Sequence, residues 1–272
     1  MTHASPLPRL GGTSRALALA GCLLLVLPQI VVIITSIDPS PAAIFPPHGF
    51  SLVWYVNALT RPAFREALGI SLGVATVCAF IATTIGTLAA LLVARHRFRG
   101  RTALLAALQL PVLVPEVLLG LGFLILFSRM GLRFSLVNIV LAHVVITIPF
   151  AVRVIAANLQ TIKPSLEEAA QMLGAGPVKS FLRVTLPIIR TGVVSALLFS
   201  FIVSFDNFTI SAFLVTGRGT LPIEIYAYIR TESDPTIAAI STMMIMLSVV
   251  GILAIDRMLG IERLSQTQAA HA

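Results

Sequence analysis

The residues of this chain that could do chemistry lie inside long apolar segments. Asp206 interrupts the apolar run 188–214, and Glu116 follows Pro115 in another such run. In a membrane span a charge costs about 2.5–3.5 kcal/mol, so its presence there indicates a use. Each acid could attract a cation along a path through the membrane, or could fix helix packing by hydrogen bonds. On a continuous helix, the polar side chains beside Asp206 would form one strip at i, i+3 and i+7: Ser204, Asn207 and Ser211.

The sequence lacks the motifs of several catalytic classes. Neither of its lysines, Lys163 and Lys179, follows a glycine, so it has no Gly-x4-Gly-Lys-Ser/Thr loop to cradle the phosphates of ATP. It also has no Gly-x-Ser-x-Gly elbow and no His-Glu-x-x-His pair, and its 5 histidines are far apart. We therefore predict no catalytic residue, metal or cofactor. An intramembrane enzyme that uses Glu116, His143 and Asp206 as acid–base groups is the alternative class.

The composition indicates that lipid is the solvent of this chain. Hydrophobic residues make up 57% and charged residues 11%, against about 25% charged residues in a soluble domain. Six runs are long enough to cross a bilayer, which takes about 20 apolar residues. We predict an all-α membrane protein with one domain at 16–257, between cytosolic tails at 1–15 and 258–272. The predicted spans are 16–37, 67–94, 103–128, 134–157, 188–214 and 236–257.

The basic residues predict the orientation of the spans. They lie in short gaps between apolar runs and form no basic arm, so the net charge of +8 does not indicate nucleic acid. With the N-terminus inside, thirteen of the 19 Lys and Arg residues lie on the inner side, where cytosolic loops carry an excess. We therefore predict a multi-pass inner-membrane protein with both termini in the cytoplasm. The first run, which follows Arg9 and Arg15, could instead be a signal peptide, but it lacks a clear cleavage site.

The segment between the fourth and fifth runs, 158–187, is polar and contains regularly placed glycine and proline. Ser165 and Glu168 have the spacing of a capping box, and Gly174 can end the first helix in the left-handed conformation. A second helix follows, which we expect to end at Leu186–Pro187. Each helix would have about eight residues, which is too few for stability alone in water. Either the chain's own membrane helices or a groove on another protein must pack against them.

This loop resembles the EAA loop of ABC importer permeases. Glu168-Ala169-Ala170, three residues, Gly174, nine residues and then Val184-Thr185-Leu186-Pro187 match its residue types and spacing, with Val184 where the family usually has Ile. The resemblance implies the type I ABC importer permease fold, with six transmembrane helices and cytosolic coupling helices that seat in an ATP-binding subunit. It implies coupling roles for Glu167, Glu168, Ala169, Ala170, Gly174, Leu186 and Pro187.

Further motifs resemble permeases of the spermidine/putrescine importer type. They are Trp54-Tyr55, Pro115-Glu116, SFDNFTIS at 204–211, Leu221-Pro222 and Ile225-Tyr226, within residues 50–255. The resemblance implies a polyamine as the solute. Close relatives of the polyamine type tend to have a second acid where this chain has Asn207, so an amino-acid-like, opine or phosphonate solute is the alternative. The predicted substrate pathway comprises Glu116, Ser204, Asp206, Asn207 and Ser211.

The resemblance also implies partners for this chain. Cytosolic ABC ATPase subunits would hydrolyse ATP, and a second homologous permease, or a second copy, would complete an alternating-access path. An extracytoplasmic solute-binding protein would deliver the solute to the outer loops near 38–66 and 215–235. The remaining alternative class is a passive channel or a sensor subunit without an ATPase, which would need another use for the loop.

Overall fold

The computed structural model describes residues 12–41, 46, 49–132, 135–215 and 217–269. Within these residues the chain forms helices and the segments that connect them, with no strand. Five helices are long and apolar enough to cross a membrane, or up to six if one bent pair counts as a single span. The prediction of an all-α membrane fold is therefore confirmed.

The chain divides into two compact units by its contacts. One comprises Met1–Arg61 and Tyr228–Met246, and the other comprises Pro62–Ala227 and Leu247–Ala272. A turn of π-helix, Phe181–Thr185, joins the helix Pro177–Ser180 to the helix Leu186–Phe205. In chain order the α-helices are α1 Gly12–Thr35, α2 Val53–Thr60, α3 Pro62–Arg95, α4 Arg101–Leu113, α5 Glu116–Arg129, α6 Leu136–Leu159, α7 Ser165–Met172, α8 Pro177–Ser180, α9 Leu186–Phe205, α10 Thr209–Leu214, α11 Leu221–Ile229 and α12 Thr236–Ala269.

The helices α3, α6 and α9 form the centre of the unit that contains Pro62–Ala227. Small residues let them approach closely, as is usual for helices that pack in lipid. A Cβ at Gly86 of α3 would lie 2.6 Å from the Cβ of Ala151 on α6, so only glycine permits this contact. The buried side chains of this contact region are Ala90, Ala151, Ile155, Leu159, Ile162, Ile189 and Ala196.

A second core cluster holds α5 and α10 against α3 and α6. Phe127 of α5 and Ile210 and Leu214 of α10 are buried there against Ile139 of α6. The helices α5 and α10 each follow a break in a longer helical stretch. This cluster therefore fixes the two segments that begin after the breaks.

In the other unit, α1 ends in a polar turn that α2 covers. The indole Nε1 of Trp54 donates to the carbonyl oxygen of Asp38 at 2.6 Å, and the hydroxyls of Tyr55 and Ser36 lie 2.7 Å apart. None of the apolar stretch Ala16–Thr35 is buried. The helix α1 is thus anchored by its end, while its apolar sides stay open to lipid or to another protein.

A polar cluster in the same unit fixes the start of α12. The hydroxyl of Tyr228 donates to Asp234 Oδ2 at 2.7 Å, and the backbone N–H of Thr236 donates to Asp234 Oδ1 at 2.8 Å. The guanidinium of Arg61 lies 4.6 Å from the ring centre of Tyr228. Burial acts to raise the pKa of Asp234, but the hydrogen bonds from Thr236 and Tyr228 and the charge of Arg61 outweigh it, so this pKa is lowered. Asp234 is therefore ionised at neutral pH.

Two of the predicted spans are interrupted in the structure. The span predicted at 103–128 consists of α4 and α5, which meet at an angle of 106°. Pro115 lacks an N–H and disfavours helix in the residue before it, and Val114 is extended. The span predicted at 188–214 consists of α9 and α10, separated by Asp206–Phe208. The expectation of a continuous helix at 188–214 was wrong. Asp206 lies in that break, and Glu116 directly follows the break between α4 and α5.

The other predicted spans overlap α1, α3, α6 and α12. Residues 1–11 and 270–272 of the predicted tails lie outside the described residues. The helix α12 extends to Ala269, so the residues predicted as a C-terminal tail from 258 onward continue the helix as far as the structure describes them.

Candidate functional site

The two helix breaks are joined by the side chain of Asn207. Its Nδ2 donates to Oε2 of Glu116, the first residue of α5, at 3.3 Å. Its Oδ1 accepts the backbone N–H of Ile210 at 3.0 Å, which stabilises the start of α10. Asn207 is buried, whereas Glu116 and Asp206 are exposed. One amide therefore holds together two breaks that lie 91 residues apart in the sequence.

Asp206 lies at the end of α9 and presents its carboxylate outside the core of its unit. Its backbone N–H completes the last turn of the helix by donating to Ile202 at 3.1 Å, and the residue is exposed. Irregular backbone at membrane depth is tolerated where it is buried in protein or lines a water-filled cavity. Exposed acids at two such breaks can attract a cation if the surface beside them is hydrated.

The serines of the predicted polar strip lie inside the protein. Ser204 and Ser211 are buried, and both hydrogen-bond to His143 of α6. The strip assumed an unbroken helix, but α9 ends at Phe205, so the two serines belong to different helices. His143 was predicted as an acid–base group of the alternative enzyme class. An ionisable side chain inside an apolar span was the sequence feature that marked it.

The loop between α6 and α9 contains the left-handed glycine that the sequence predicted. Gly174 has φ +85°, a conformation that a residue with a Cβ resists, and it ends α7. The predicted capping box is wrong, because the helix begins one residue earlier than assumed. The N-cap is Pro164, which has no hydroxyl and makes no side-chain hydrogen bond. Ser165 is already the first residue of the helix, so it cannot cap it.

The predicted end of the second loop helix at Leu186–Pro187 is also wrong. Helical structure runs without interruption from Pro177 to Phe205, over 29 residues. The turn Phe181–Thr185 is a π-helix in which the N–H of Leu186 bonds to the carbonyl of Phe181. This wider turn accommodates the ring of Pro187, which would clash with a carbonyl in a regular α-helix. The loop is therefore a direct extension of α9.

The two neighbouring glutamates of the loop have different environments. The carboxylate of Glu167 is half-buried and lies 3.0 Å from Nε of Arg95, at the end of α3. The hydroxyl of Thr185 donates to the same carboxylate at 2.8 Å. Glu168 is exposed, as is Ala169, while Ala170 is half-buried. Glu167 thus connects α7, α3 and the π-turn within the chain, and Glu168 is available to another molecule.

The loop presents five exposed or half-exposed apolar side chains, which we call the coupling surface. Met172, Leu173 and Val178 are 86%, 90% and 72% exposed on the two sides of Gly174, and Leu166 and Leu182 are about half exposed. Leu186, by contrast, packs on the core of α3, α6 and α9. Apolar side chains gathered in this way around a polar loop are typical of an interaction site.

The site holds no cluster that could coordinate a metal within the described part of the chain, where no three His, Cys, Asp or Glu side chains come together. The site instead offers exposed carboxylates and exposed apolar side chains. Two exposed acids at interrupted membrane helices and an exposed pair of short loop helices indicate the class of membrane transport proteins.

Solved structures share this fold. The chain matches a subunit of a bacterial ABC transporter involved in the import of the acidic polysaccharide alginate, with a TM-score of 0.67 and 16% identity over 92% of this chain and 99% of the other. It matches a chain of the MetNI methionine ABC transporter with a TM-score of 0.61 and 20% identity over 76% of this chain and 97% of the other. At these identities the matches establish the fold.

Sequence comparisons establish the family. Residues 82–261 match the family described as the binding-protein-dependent transport system inner membrane component, and the chain belongs to this family. It is 34% identical over 216 residues, 76% of each chain, to the putrescine transport system permease protein PotI of Escherichia coli K12. It is 29% identical over 232 residues to the spermidine/putrescine transport system permease protein PotC of the same strain, covering 85% of this chain and 87% of the relative.

Proposed function

We propose that the solute carried by this permease is a polyamine such as putrescine or spermidine. The observation that carries the proposal is the pair of exposed carboxylates at the two helix breaks, Asp206 and Glu116. Carboxylates attract alkylammonium groups, and a polyamine carries two or more of these along a flexible chain. The names of the relatives PotI and PotC support the same solute class.

We place ATP hydrolysis on a separate cytosolic subunit. The coupling surface would fill a groove of that ATPase, and the exposed carboxylate of Glu168 would contact its rim. Because α8 is continuous with α9, and because Glu167 ties α7 to α3, closure of an ATPase pair would move these membrane helices together. The movement would open the path to each side of the membrane in turn.

The path itself would lie between this chain and a second permease, either homologous or identical. In such a pair Asp206 and Glu116, which are exposed in the single chain, would face the path. The termini and the coupling surface would lie in the cytoplasm, and a solute-binding protein would dock on the opposite side. The excess of Lys and Arg predicted on the inner side supports this orientation.

Uptake by the assembled importer tests the solute class. In proteoliposomes that contain this chain with its partners, Asp206→Asn should reduce the uptake of labelled putrescine about tenfold, which corresponds to about 1.4 kcal/mol of lost attraction to an ammonium group. The control Asp206→Glu keeps a carboxylate at the same break, so its uptake should exceed that of Asp206→Asn severalfold.

Two outcomes would contradict the proposed solute. One is uptake that Asp206→Asn leaves unchanged. The other is uptake that amino acids, opines or phosphonates inhibit while spermidine does not, which would assign the permease to the alternative solute class.

A further inference from the structure

His143 occupies the centre of a polar cluster that the transport function described above does not use. Its ring is fully buried in α6. Nδ1 lies 2.8 Å from Oγ of Ser204, and Nε2 lies 3.1 Å from Oγ of Ser211. Ser204 belongs to the last turn of α9 and Ser211 to α10, so one imidazole ring connects the two sides of the break at Asp206–Phe208.

The hydrogen-bonding capacities of the three groups match. A neutral imidazole has one N–H donor and one acceptor nitrogen, and each serine hydroxyl can donate and accept. Both hydrogen bonds can therefore form in either tautomer of His143, without a charge in the protein interior. Since an unpaired buried polar group would be costly, each serine stabilises the position of the ring and the ring stabilises both serines.

The backbone of α6 at His143 is also fixed by a hydrogen bond. Thr147, one turn after His143, donates its hydroxyl to the carbonyl oxygen of His143 at 2.8 Å. The same hydroxyl lies 3.4 Å from Sγ of Cys78 on α3. The ring therefore projects from a part of α6 that is linked to the helix beside it.

We propose that His143 is a positioning residue for solute passage, which acts by holding the two ends of the broken helix at a fixed distance. Because Ser204 and Ser211 are both hydrogen-bonded to one rigid ring, the backbone between them, which includes Asp206, is restrained from shifting along the helix axis. The carboxylate of Asp206 is thereby held at the exposed surface. The role in passage rests on the proposed function of Asp206, whereas the effect on the geometry of the break does not.

Thiol labelling tests the geometry without any solute. In the assembled complex, with Cys22→Ser to remove the exposed cysteine, Asp206→Cys introduces a thiol at the break, while Cys78 stays because it is fully buried. His143→Phe fills a similar volume but makes no hydrogen bond. It should change the labelling rate of the D206C thiol by a polar methanethiosulfonate reagent about threefold or more, since two buried hydrogen bonds are lost.

Serine variants provide a matched comparison in case His143→Phe does not fold. Ser204→Ala and Ser211→Ala should each change the labelling rate in the same direction, by less than His143→Phe. Ser200→Ala is the control, because Ser200 is buried one turn earlier on α9 and its hydroxyl has no hydrogen-bond partner among the described residues. Labelling rates that are the same for Ser204→Ala, Ser211→Ala and Ser200→Ala would overturn the proposal.

Transport kinetics then separate positioning from general stability. With Asp206 intact, Ser204→Ala and Ser211→Ala should each lower kcat/KM for putrescine uptake about threefold or more, while the amount of assembled complex and its ATP hydrolysis without solute stay constant. A fall in assembly and uptake together would contradict a positioning role. If the wild-type complex carries no polyamine, the proposed function fails, and the labelling comparison still decides whether His143 fixes the break.

Discussion

At the scale of single residues, the loop uses two adjacent carboxylates in different ways. Glu167 binds Arg95 and Thr185 inside the chain, whereas Glu168 is exposed. Successive helical residues point about 100° apart, so neighbours in sequence face different surroundings. The resemblance of the loop assigned both residues to ATPase coupling. The structure gives Glu167 an intramolecular partner, and contact with an ATPase remains a proposal for Glu168.

A double-mutant cycle should distinguish the two glutamates. Glu167→Gln and Arg95→Gln should each destabilise the protein, and their effects should be non-additive by about 0.5–2 kcal/mol because the two side chains form one half-buried pair. The free energy of unfolding, measured in detergent, gives the coupling energy. The control cycle pairs Glu168→Gln with Arg95→Gln, for which we expect additive effects. Additivity in the first cycle would show that the Glu167–Arg95 pair does not stabilise the loop.

At the scale of elements, the loop depends on one sharp turn between α7 and α8. Only Gly174 supplies the positive φ that this turn requires, and the exposed side chains of Met172, Leu173 and Val178 lie around it. The relative direction of the two short helices, and with it the shape of the coupling surface, follows from this backbone conformation. Because α8 is continuous with α9, the direction of α8 is fixed relative to α9.

Gly174→Ala should therefore impair coupling more than Gly176→Ala. A residue with a Cβ costs about 1–2 kcal/mol in the left-handed region, so we expect about a fivefold to thirtyfold loss of ATPase bound per permease. Gly176, with φ −64°, is the matched control because alanine adopts this conformation readily. Copurification of the ATPase with each variant measures the difference. Equal binding by the two variants would mean that the left-handed turn does not shape the coupling surface.

At the scale of the whole molecule, this chain presents apolar surface of two kinds. The sides of α1 and the outer faces of the long helices suit lipid or a second permease, since they lie on predicted spans. The coupling surface lies on α7 and on the first turns of the helical stretch Pro177–Phe205. We propose that the ATPase subunit covers this surface.

Met172→Asp should separate this chain from its ATPase while leaving it in the membrane. A charge on an 86% exposed side chain at the centre of the coupling surface would be desolvated on docking, and we expect at least about a tenfold loss of bound ATPase. The control is Met130→Asp, because Met130 is also an exposed methionine but directly follows the C-terminal end of α5, outside the coupling surface. ATPase binding that both variants retain would exclude the coupling surface as the docking site.

The sequence by itself determined the membrane class, the positions of most of the long apolar helices and the left-handed turn at Gly174. These features depend on local composition and on the conformational freedom of single residues, both of which can be recognised in a short segment. It could not determine that Pro115 and Asp206 mark true helix breaks, because an apolar run with one proline or one acid is also compatible with a bent but continuous helix.

Only the tertiary structure decided which polar side chains meet. Glu167 and Arg95 are 72 residues apart, and His143 and Ser204 are 61 apart. Such pairs form because α3, α6 and α9 pack against one another, and the direction of each side chain depends on helix rotation and on the two breaks. The sequence supplied the polar groups, and packing decided whether each bonds within the chain, as His143 and Glu167 do, or stays exposed, as Asp206 and Glu168 do.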